Sequence, residues 1–178
     1  RMVIKESHLN PIKYEGSEKS ISLVGFDRPF TPKEASIPIY MGSVGPFMTR
    51  KCGEIADGWI SHELCSPQYL KSNIIPKLQE GASDKKIPKI VVSGLTVVDE
   101  DEKKAKRIAA GTVAFYASVK TYDEFFSTHW FGQEASRIRE LFKNNDIKGM
   151  IETVPDEMVD VFAIAGNKEF VTESIKRY

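Results

Sequence analysis

The sequence predicts an α/β domain with parallel strands, and three observations support this prediction. Residues 37–42, 58–62 and 89–98 are short apolar runs of the kind found in buried parallel strands. Stretches with the apolar spacing of amphipathic helices separate these runs, and turns rich in glycine and proline mark the junctions. Strands that alternate with helices in this way are typical of βαβ units, whose helices cover a parallel sheet.

The segment IPIYMGSVGPFMTRKCGEIADGWISH, residues 37–62, contains a complete strand, turn, helix and second strand. Pro46 suits the first position of the helix, and we expect the turn Gly42-Ser43-Val44-Gly45 to let the backbone approach a ligand closely. Free N–H groups and the positive end of the helix dipole favour an anion such as phosphate at this point. From the motif alone, a turn that only connects strand and helix is an equally good interpretation.

The remaining elements are predicted from periodicity and from their end signals. In the Pro46 helix, we expect Met48, Cys52, Ile55 and Ala56 to face inward and Thr49 to face outward. A second helix begins at Pro67 and is kinked by Pro76. A capping box joining Asp99 to Glu102 starts the longest helix, and a later helix spans residues 155–165 and ends at Gly166. Residues 1–36 are predicted to be an irregular insertion or lid with a possible hairpin, and residues 37–178 to be the main domain.

Composition excludes several classes of function. The 25 basic and 25 acidic side chains balance, so the broad positive field of a nucleic-acid-binding protein is missing. No apolar run approaches the roughly 20 residues that span a bilayer, and we expect a cytoplasmic protein without a membrane partner. The two cysteines, Cys52 and Cys65, lack metal-ligand spacing, and no metal site is predicted. The turn is not a Walker A loop, because Phe47 and Met48 stand where that motif has glycine and lysine.

Several segments together resemble the luciferase-like monooxygenases, a family of TIM barrels that use flavin or deazaflavin. They are IPIYMGSVGPFMTRKCGEIADGWI, SPQYLKSNIIPKLQEGA, VVDEDEKKAKRIA, TVAFYAS and VPDEMVDVFAIAGNKEFV, in the family's usual order. The chain is most similar to the branch of deazaflavin-dependent methylenetetrahydromethanopterin reductases. The resemblance implies a partial (β/α)₈ barrel of the luciferase-like type, because three strands cannot close a barrel that typically needs about 250 residues. It also implies that the early strands and the last strand are absent.

The resemblance implies which residues bind the cofactor. Gly42, Ser43, Val44 and Gly45 match the phosphate-side loop, with their amides as donors and the Ser43 hydroxyl as an extra donor. Ser61 and His62 follow the second strand at the carboxyl end, where parallel barrels place their ligands. The implied cofactor is the deazaflavin coenzyme F420, with FMN as the alternative. The catalytic residues stay unknown, because the family places them on strands that precede residue 1.

Other candidate residues have a structural explanation that is at least as good. His62 titrates near neutrality and could act as a proton donor, but a lone histidine after a strand is more often structural. The aromatic residues around His129 are expected to pack beneath a loop, His8 has no assigned role, and Cys65 is expected to be inert. The carboxylates 99–102 are explained by helix capping. Phe125-Phe126 and Trp130-Phe131 fit either a core or an oligomer interface.

The sequence therefore predicts part of an oxidoreductase that transfers a hydride between a deazaflavin and a small organic substrate. An FMN-dependent monooxygenase is one alternative, and a noncatalytic flavin-binding module on a shortened barrel is another. The isolated chain is expected to be inactive and to self-associate, because open sheet edges and uncovered apolar faces favour association. A homo-oligomer is a further expectation.

Overall fold

The structure, a computed structural model, describes residues 11–24 and 37–178. The chain divides into two compact units, Arg1–Ile39 and Tyr40–Tyr178. Most of the predicted insertion or lid, with His8, lies outside the described residues.

The first unit contains an antiparallel hairpin. Strand β1, Ile12–Glu15, pairs with β2, Ser20–Leu23, so that Ile12 lies opposite Leu23 and Glu15 opposite Ser20. The Gly16 N–H donates to the Lys19 carbonyl at 3.0 Å and closes the turn. The hairpin is therefore observed where alternation and turn residues favoured it, whereas the role of a lid stays a prediction.

The second unit contains a three-stranded parallel sheet of β3, Tyr40–Gly42, β4, Gly58–Ile60, and β5, Lys89–Val91, with β4 in the centre. Met41, Trp59 and Ile90 are aligned across it. They pack against the hydrophobic core, whereas the opposite face carries the exposed side chains of Tyr40, Ile60 and Val91. The predicted strand at 37–41 begins later than expected, since Pro38 has no N–H to donate to a ladder.

Helices connect and cover these strands. They are α1, Pro46–Ile55; α2, Pro67–Tyr69; α3, Ile75–Ala82; α4, Glu102–Ala117; α5, Asp123–Thr128; α6, Gly132–Lys143; α7, Ile147–Glu152; α8, Asp156–Phe162; and α9, Lys168–Ile175. A π-helical segment, Leu70–Ile74, joins α2 to α3, and a 3₁₀ turn, Lys120–Tyr122, precedes α5. No helix among the described residues is both long enough and apolar enough to cross a membrane.

Two more parallel strands form a separate pair and correct two predictions. The run 89–98 is not one strand, because it breaks after β5 and resumes as β6, Leu95–Val98. The predicted helix at 155–165 ends at Phe162, and the fully buried residues of β7, Ala163–Gly166, pair with β6. A short apolar run is compatible with either a buried strand or a buried helix, so periodicity could not separate the two. The parallel strands of the described residues do not close a barrel.

The second helix has an irregular, π-helical turn immediately before the predicted proline. Ile75 donates its N–H to the Leu70 carbonyl, five residues back, and Pro76 follows immediately. Because proline has no N–H and its ring crowds the preceding turn, a local π-helical turn accommodates it without ending the helix. The helix is thus locally irregular next to Pro76, whereas the predicted kink itself stays a prediction.

Helices α1 and α3 approach each other at two glycines. A Cβ on Gly53 would lie 2.3 Å from the Leu78 carbonyl oxygen, and one on Gly81 would lie 1.8 Å from that of Arg50. The buried face of α1 therefore consists of Thr49, Cys52 and Gly53, whereas Met48 and Ile55 are exposed. The prediction for α1 was right for Cys52, which is buried, and for Ala56, which packs against the core, but wrong for Met48, Ile55 and Thr49. Hydrophobicity does not reveal a face whose small residues admit a neighbouring backbone.

The start of α4 differs from its prediction. Asp101, and not Asp99, caps the helix by accepting the N–H groups of Lys103 and Lys104. Its buried face is rich in alanine, including Ala105, Ala109 and Ala114. These small side chains let α4 lie close to β6, β7, and helices α6 to α8. The carboxylates at its start are therefore explained by capping, as predicted.

Candidate functional site

The six residues predicted to bind a cofactor line one cavity of ≈ 490 Å³. The loop after β3 supplies Gly42, Ser43, Val44 and Gly45, and the end of β4 supplies Ser61 and His62. The cavity thus lies at the carboxyl ends of two adjacent parallel strands, the edge where sheets of this class bind ligands. Three residues that the sequence did not indicate also line it: Met48, Ile60 and Thr121.

The turn before α1 lines this cavity and contains backbone donors without a partner. Gly45 is the N-cap residue, with φ −76° and ψ 154°, and no side chain caps the helix. The described residues provide no acceptor for the N–H groups of Val44 and Gly45, and the first turn of α1 contains no acidic residue. Unpaired amides at the positive end of a helix are groups that can favour an anion without a basic side chain.

Neither an unusual backbone angle nor a close contact within the protein requires glycine at the N-cap position. The extended angles of Gly45 are open to any residue. A Cβ built on Gly45 meets nothing within 4 Å. An added side chain would therefore occupy the open space in front of the amides without colliding with the protein.

The hydroxyl of Ser43 is not a free donor, which corrects its predicted role. Trp59 Nε1–H donates to Ser43 Oγ at 2.9 Å, and Ser43 Oγ lies 3.1 Å from Thr49 Oγ1. Thr49 Oγ1 in turn donates to the Gly45 carbonyl at 3.0 Å. Because an indole N–H can only donate and a carbonyl can only accept, Ser43 must donate to Thr49. The chain of bonds fixes the loop and leaves the Ser43 hydroxyl no proton for a ligand.

The hydroxyl of Ser61 also has internal partners. It accepts the Ser93 N–H at 2.8 Å, and its own proton points to the Ser93 carbonyl at 3.4 Å. The Ser61 N–H donates to Val91 at 3.0 Å. Ser61 therefore ties the end of β4 to the break between β5 and β6, so its contribution to the cavity is mainly to shape the wall.

His62 is the polar side chain best placed to meet a ligand. Its Nδ1 accepts the Leu64 N–H at 3.2 Å, which assigns the proton of the neutral ring to Nε2. Burial lowers the pKa of His62 to about 4, although the nearby Glu63 carboxylate acts in the opposite direction. A neutral imidazole at physiological pH is a hydrogen-bond donor through Nε2–H, but it is a poor general acid.

Aromatic rings hold His62 in place. The ring centroid of Phe125 lies 4.9 Å from that of His62 in an edge-on arrangement, and that of Tyr122 lies at 5.3 Å. The Tyr116 ring is 6.0 Å away. Such packing removes water from the imidazole and restricts its rotation, which accounts for the lowered pKa.

The other histidine of the described residues has a structural role. His129 is buried, and its Nδ1 lies 3.1 Å from the Phe125 carbonyl while its Nε2 lies 2.7 Å from Ser66 Oγ. The carbonyl requires Nδ1 to carry the proton, so Ser66 donates to Nε2. Ser66 Oγ also accepts the Tyr69 N–H at 3.0 Å and caps α2. The prediction that the aromatic residues around His129 are packed away was wrong for Trp130, which is 91% exposed, whereas Phe131 packs against the hydrophobic core.

Cys65 and the aromatic pair Phe125-Phe126 are further residues for which the sequence made a prediction. Cys65 is buried, and burial raises the pKa of its thiol to about 12, so it is inert as expected. Phe125 and Phe126 belong to the core. Within the described ranges, 11–24 and 37–178, no cluster of His, Cys, Asp and Glu side chains has the arrangement of a metal site.

A second groove of ≈ 530 Å³ beside α4 is a weaker candidate. Its polar lining consists of Asp101, Lys103, Lys104 and Arg107. Lys104 forms an ion pair with Asp99 at 2.6 Å, and the groove is formed by long surface side chains of both charges. It offers no fixed backbone donors, so the cavity in front of Gly45 is the better candidate for ligand binding.

Comparisons with known proteins show the family and the fold of the chain. A family model described as "Luciferase-like monooxygenase" matches residues 2–178. The solved structure of the coenzyme F420 dependent tetrahydromethanopterin reductase from Methanopyrus kandleri superimposes with a TM-score of 0.82 at 25% identity. The match covers 99% of this chain and 51% of that one.

Two curated relatives have different substrates in their names. The 5,10-methylenetetrahydromethanopterin reductase of Methanopyrus kandleri is 29% identical over 171 residues, which are 93% of this chain and 48% of that protein. An F420-dependent glucose-6-phosphate dehydrogenase of Microbacterium testaceum is 36% identical over 73 residues, 40% of this chain and 20% of its own length. The chain spans about half the length of the curated reductase.

Proposed function

Because the chain belongs to the luciferase-like monooxygenase family, we propose that it forms the deazaflavin-binding part of an oxidoreductase that transfers a hydride between coenzyme F420 and a small organic substrate. The single observation that carries this proposal is the cavity of ≈ 490 Å³ that is lined both by the Gly45 turn and by His62. It combines an anion site with a neutral hydrogen-bond donor at the carboxyl ends of parallel strands.

The relatives support the assignment of a cofactor more strongly than the assignment of a substrate. The names of the glucose-6-phosphate dehydrogenase and of the solved reductase structure both include F420, although their substrates are chemically unrelated. A region shared by enzymes with different substrates is better explained by their common cofactor. We therefore assign this region to cofactor binding and leave the substrate as a small organic molecule of unspecified identity.

The residues present fit a ligand with a ring and a phosphate tail. The amides of Val44 and Gly45 would hold the phosphate, and the open space in front of Gly45 admits it. His62 Nε2–H would donate to a polar atom of the ligand, and Met48 and Ile60 would exclude water from it. A bound deazaflavin supplies the hydride chemistry in its own ring, so these residues contribute binding and orientation.

Binding of F420 to Gly45 variants tests this proposal. We expect the fluorescence of F420 to change to saturation as the chain is added. Gly45→Val should raise the Kd for F420 at least about tenfold, or about 1.4 kcal/mol, because its side chain fills the approach to the amides. Gly45→Ala should have an intermediate effect. Gly111→Ala is the matched control, since a Cβ at that helix position also meets nothing within 4 Å and lies outside the cavity.

The outcomes separate the proposal from its alternatives. Unchanged F420 affinity in Gly45→Val would show that the phosphate does not lie in front of the amides. Tight FMN binding without F420 binding would favour an FMN-dependent monooxygenase, which the description of the family model keeps as the second candidate. F420 binding without turnover in any longer protein that contains this region would favour a noncatalytic flavin-binding module.

Further parts of the proposal rest on the sequence. The balanced charge and the absence of a long apolar run in the sequence support a cytoplasmic protein that acts on a small molecule, and not on a nucleic acid or membrane. The exposed apolar side chains on the sheet of β3, β4 and β5 support self-association. Light scattering over a range of protein concentrations would test the oligomeric state.

A further inference from the structure

Tyr116 and Glu63 form a short hydrogen bond next to His62. Tyr116 on α4 donates its hydroxyl to Glu63 Oε2 at 2.6 Å. The backbone of Glu63 is fixed as well, since its carbonyl accepts the Leu95 N–H at 2.9 Å. The carboxylate and the backbone carbonyl of Glu63 therefore each have a hydrogen-bond partner, although the residue is exposed.

Glu63 is the acidic residue whose charge acts on the His62 ring. It opposes the effect of burial on the pKa of His62, and its hydrogen bond raises the pKa of Tyr116. The pKa of Tyr122 is raised mainly by burial and further by the Glu63 charge. Among the described residues its carboxylate bonds to Tyr116 and forms no ion pair with His62. Phe125, the remaining ring against His62, carries no charge.

A released carboxylate would have one available partner on His62. Nδ1 already accepts the Leu64 N–H, so only Nε2 remains for a new partner on this residue of the cavity lining. An ion pair between Glu63 and Nε2 would favour the charged imidazole and occupy the donor that a ligand needs. It would also bring a negative charge toward an anion site, where it repels phosphate.

We propose that the Tyr116–Glu63 hydrogen bond is a positioning device that holds the carboxylate off His62, so that the imidazole stays a neutral donor directed at the ligand. The ligand role of His62 rests on the proposed function. The effect on the protonation of His62 does not, because it is a property of the free protein. Tyr116 is thus a positioning residue, since it acts through Glu63 and His62 and does not itself line the cavity.

Histidine NMR titration of the full chain tests the first part. We expect Tyr116→Phe, which keeps the ring and loses the hydroxyl, to raise the pKa of His62 by about 1 pH unit as Glu63 turns to it. Tyr122→Phe is the matched control, since the Tyr122 ring also packs on His62 and its hydroxyl has no partner within the described part of the chain. Comparison with His62→Gln assigns the signal.

A double variant separates charge from packing. If Tyr116 acts by restraining the carboxylate, Tyr116→Phe/Glu63→Gln should return the pKa of His62 to the wild-type value or below. A purely structural role would leave the double variant as perturbed as the single one, and equal shifts in Tyr116→Phe and Tyr122→Phe would also overturn the proposal. If Tyr116→Phe does not fold, Glu63→Asp takes its place, because its shorter side chain gives up the bond to Tyr116 and keeps the charge: the pKa of His62 must then rise above the wild-type value, and an unchanged or lower pKa would overturn the proposal.

Phosphate binding tests the consequence at the site. With inorganic phosphate as the probe, Tyr116→Phe should weaken binding about fivefold at neutral pH, or about 1 kcal/mol, and the added Glu63→Gln should restore it. Restoration without a change in the pKa of His62 would overturn the proposed route. If the wild-type chain binds neither phosphate nor F420, the proposed function fails, whereas the titration still decides whether Tyr116 positions Glu63.

Discussion

The indole of Trp59 donates a hydrogen bond of 2.9 Å to the hydroxyl of Ser43, and so joins the central strand of the sheet to the turn in front of α1. Trp59 is 1% exposed, and Nε1 also approaches the Ser43 carbonyl at 3.1 Å. A buried indole N–H needs an acceptor. The sheet core and the conformation of the candidate site are therefore coupled through one side chain.

Removal of the Ser43 hydroxyl should affect both stability and binding. Ser43→Ala deprives Trp59 of its better acceptor and Thr49 Oγ1 of its donor, so we expect a loss of about 1 to 2 kcal/mol in the free energy of unfolding. F420 affinity should fall as well, because the amides of the turn lose their fixed orientation. Urea denaturation and F420 titration measure the two effects. Ser72→Ala, an exposed serine whose bonds lie within its own helix region, is the control and should change little.

The two glycines between α1 and α3 predict a steric effect. Gly53→Ala would place a methyl group 2.3 Å from the Leu78 carbonyl oxygen and force the helices apart, at a cost of about 1 to 3 kcal/mol. Gly111→Ala, the same exchange in α4 with open space around the Cβ, should instead stabilise the chain by up to about 1 kcal/mol. Urea denaturation of the pair provides the measurement, and equal effects of the two exchanges would contradict the close approach.

Local signals in the sequence predicted the β3–α1–β4 unit well. Pro46 begins α1, the glycine turn precedes it, and the residues that follow both strands line one cavity. These features depend on neighbours in sequence, such as the absent N–H of proline and the polarity of a helix start. The six candidate residues could therefore be brought together from sequence alone, although their binding role stays a proposal.

Features that depend on distant contacts were not predictable. Thr121 reaches the cavity from a 3₁₀ turn that carries no motif. The Ser43 hydroxyl was expected to be free, because nothing local shows that Trp59, across the sheet, needs an acceptor. The inward face of α1 was misassigned in part, because the backbone of α3 lies so close that only small residues fit on this face. In each case tertiary packing overrides the local pattern.

The end of α5 is formed by a tryptophan in a conformation that usually belongs to glycine. Trp130 has φ 69° and donates its N–H to the Ser127 carbonyl at 3.0 Å, while the Phe131 N–H donates to the Phe126 carbonyl at 3.0 Å. This is the hydrogen-bond pattern of a Schellman motif. No glycine marks this helix end in the sequence.

Relief of this backbone strain should stabilise the protein. We expect Trp130→Gly to raise the free energy of unfolding by about 1 kcal/mol, since glycine adopts the left-handed region without a steric penalty. Trp130→Ala keeps the strained angle and loses only an exposed ring, so it should have little effect. Circular dichroism during urea unfolding can compare the variants. A loss of stability in Trp130→Gly would instead indicate that the indole makes a stabilising contact.

Buried neutral histidines should make stability depend on pH below neutrality. Burial lowers the pKa of His62 to about 4 in the folded chain and also lowers that of His129, whereas an unfolded chain has values near 6.5. As pH falls through about 6.5, the unfolded state therefore binds protons before the folded state does. The stabilisation by neutral histidine is complete above about pH 6.5 and decreases toward pH 4, by about 3 kcal/mol for His62 over the whole range.

Urea midpoints measured from pH 7.5 down to about 4.5 would test this dependence. The lower limit excludes the exposed carboxylates of Glu54, Glu80 and Asp99, whose lowered pKa values make their contribution disappear at more acidic pH. His62→Gln removes the larger titration and should flatten the curve, leaving the slope that belongs to His129. A flat wild-type curve would mean that both imidazoles titrate as they do in the unfolded chain, and that His62 is open to water and free to become charged. That result would also remove the basis for treating His62 as a neutral donor, because a solvated imidazole would titrate within the physiological range and repel or attract a ligand according to pH.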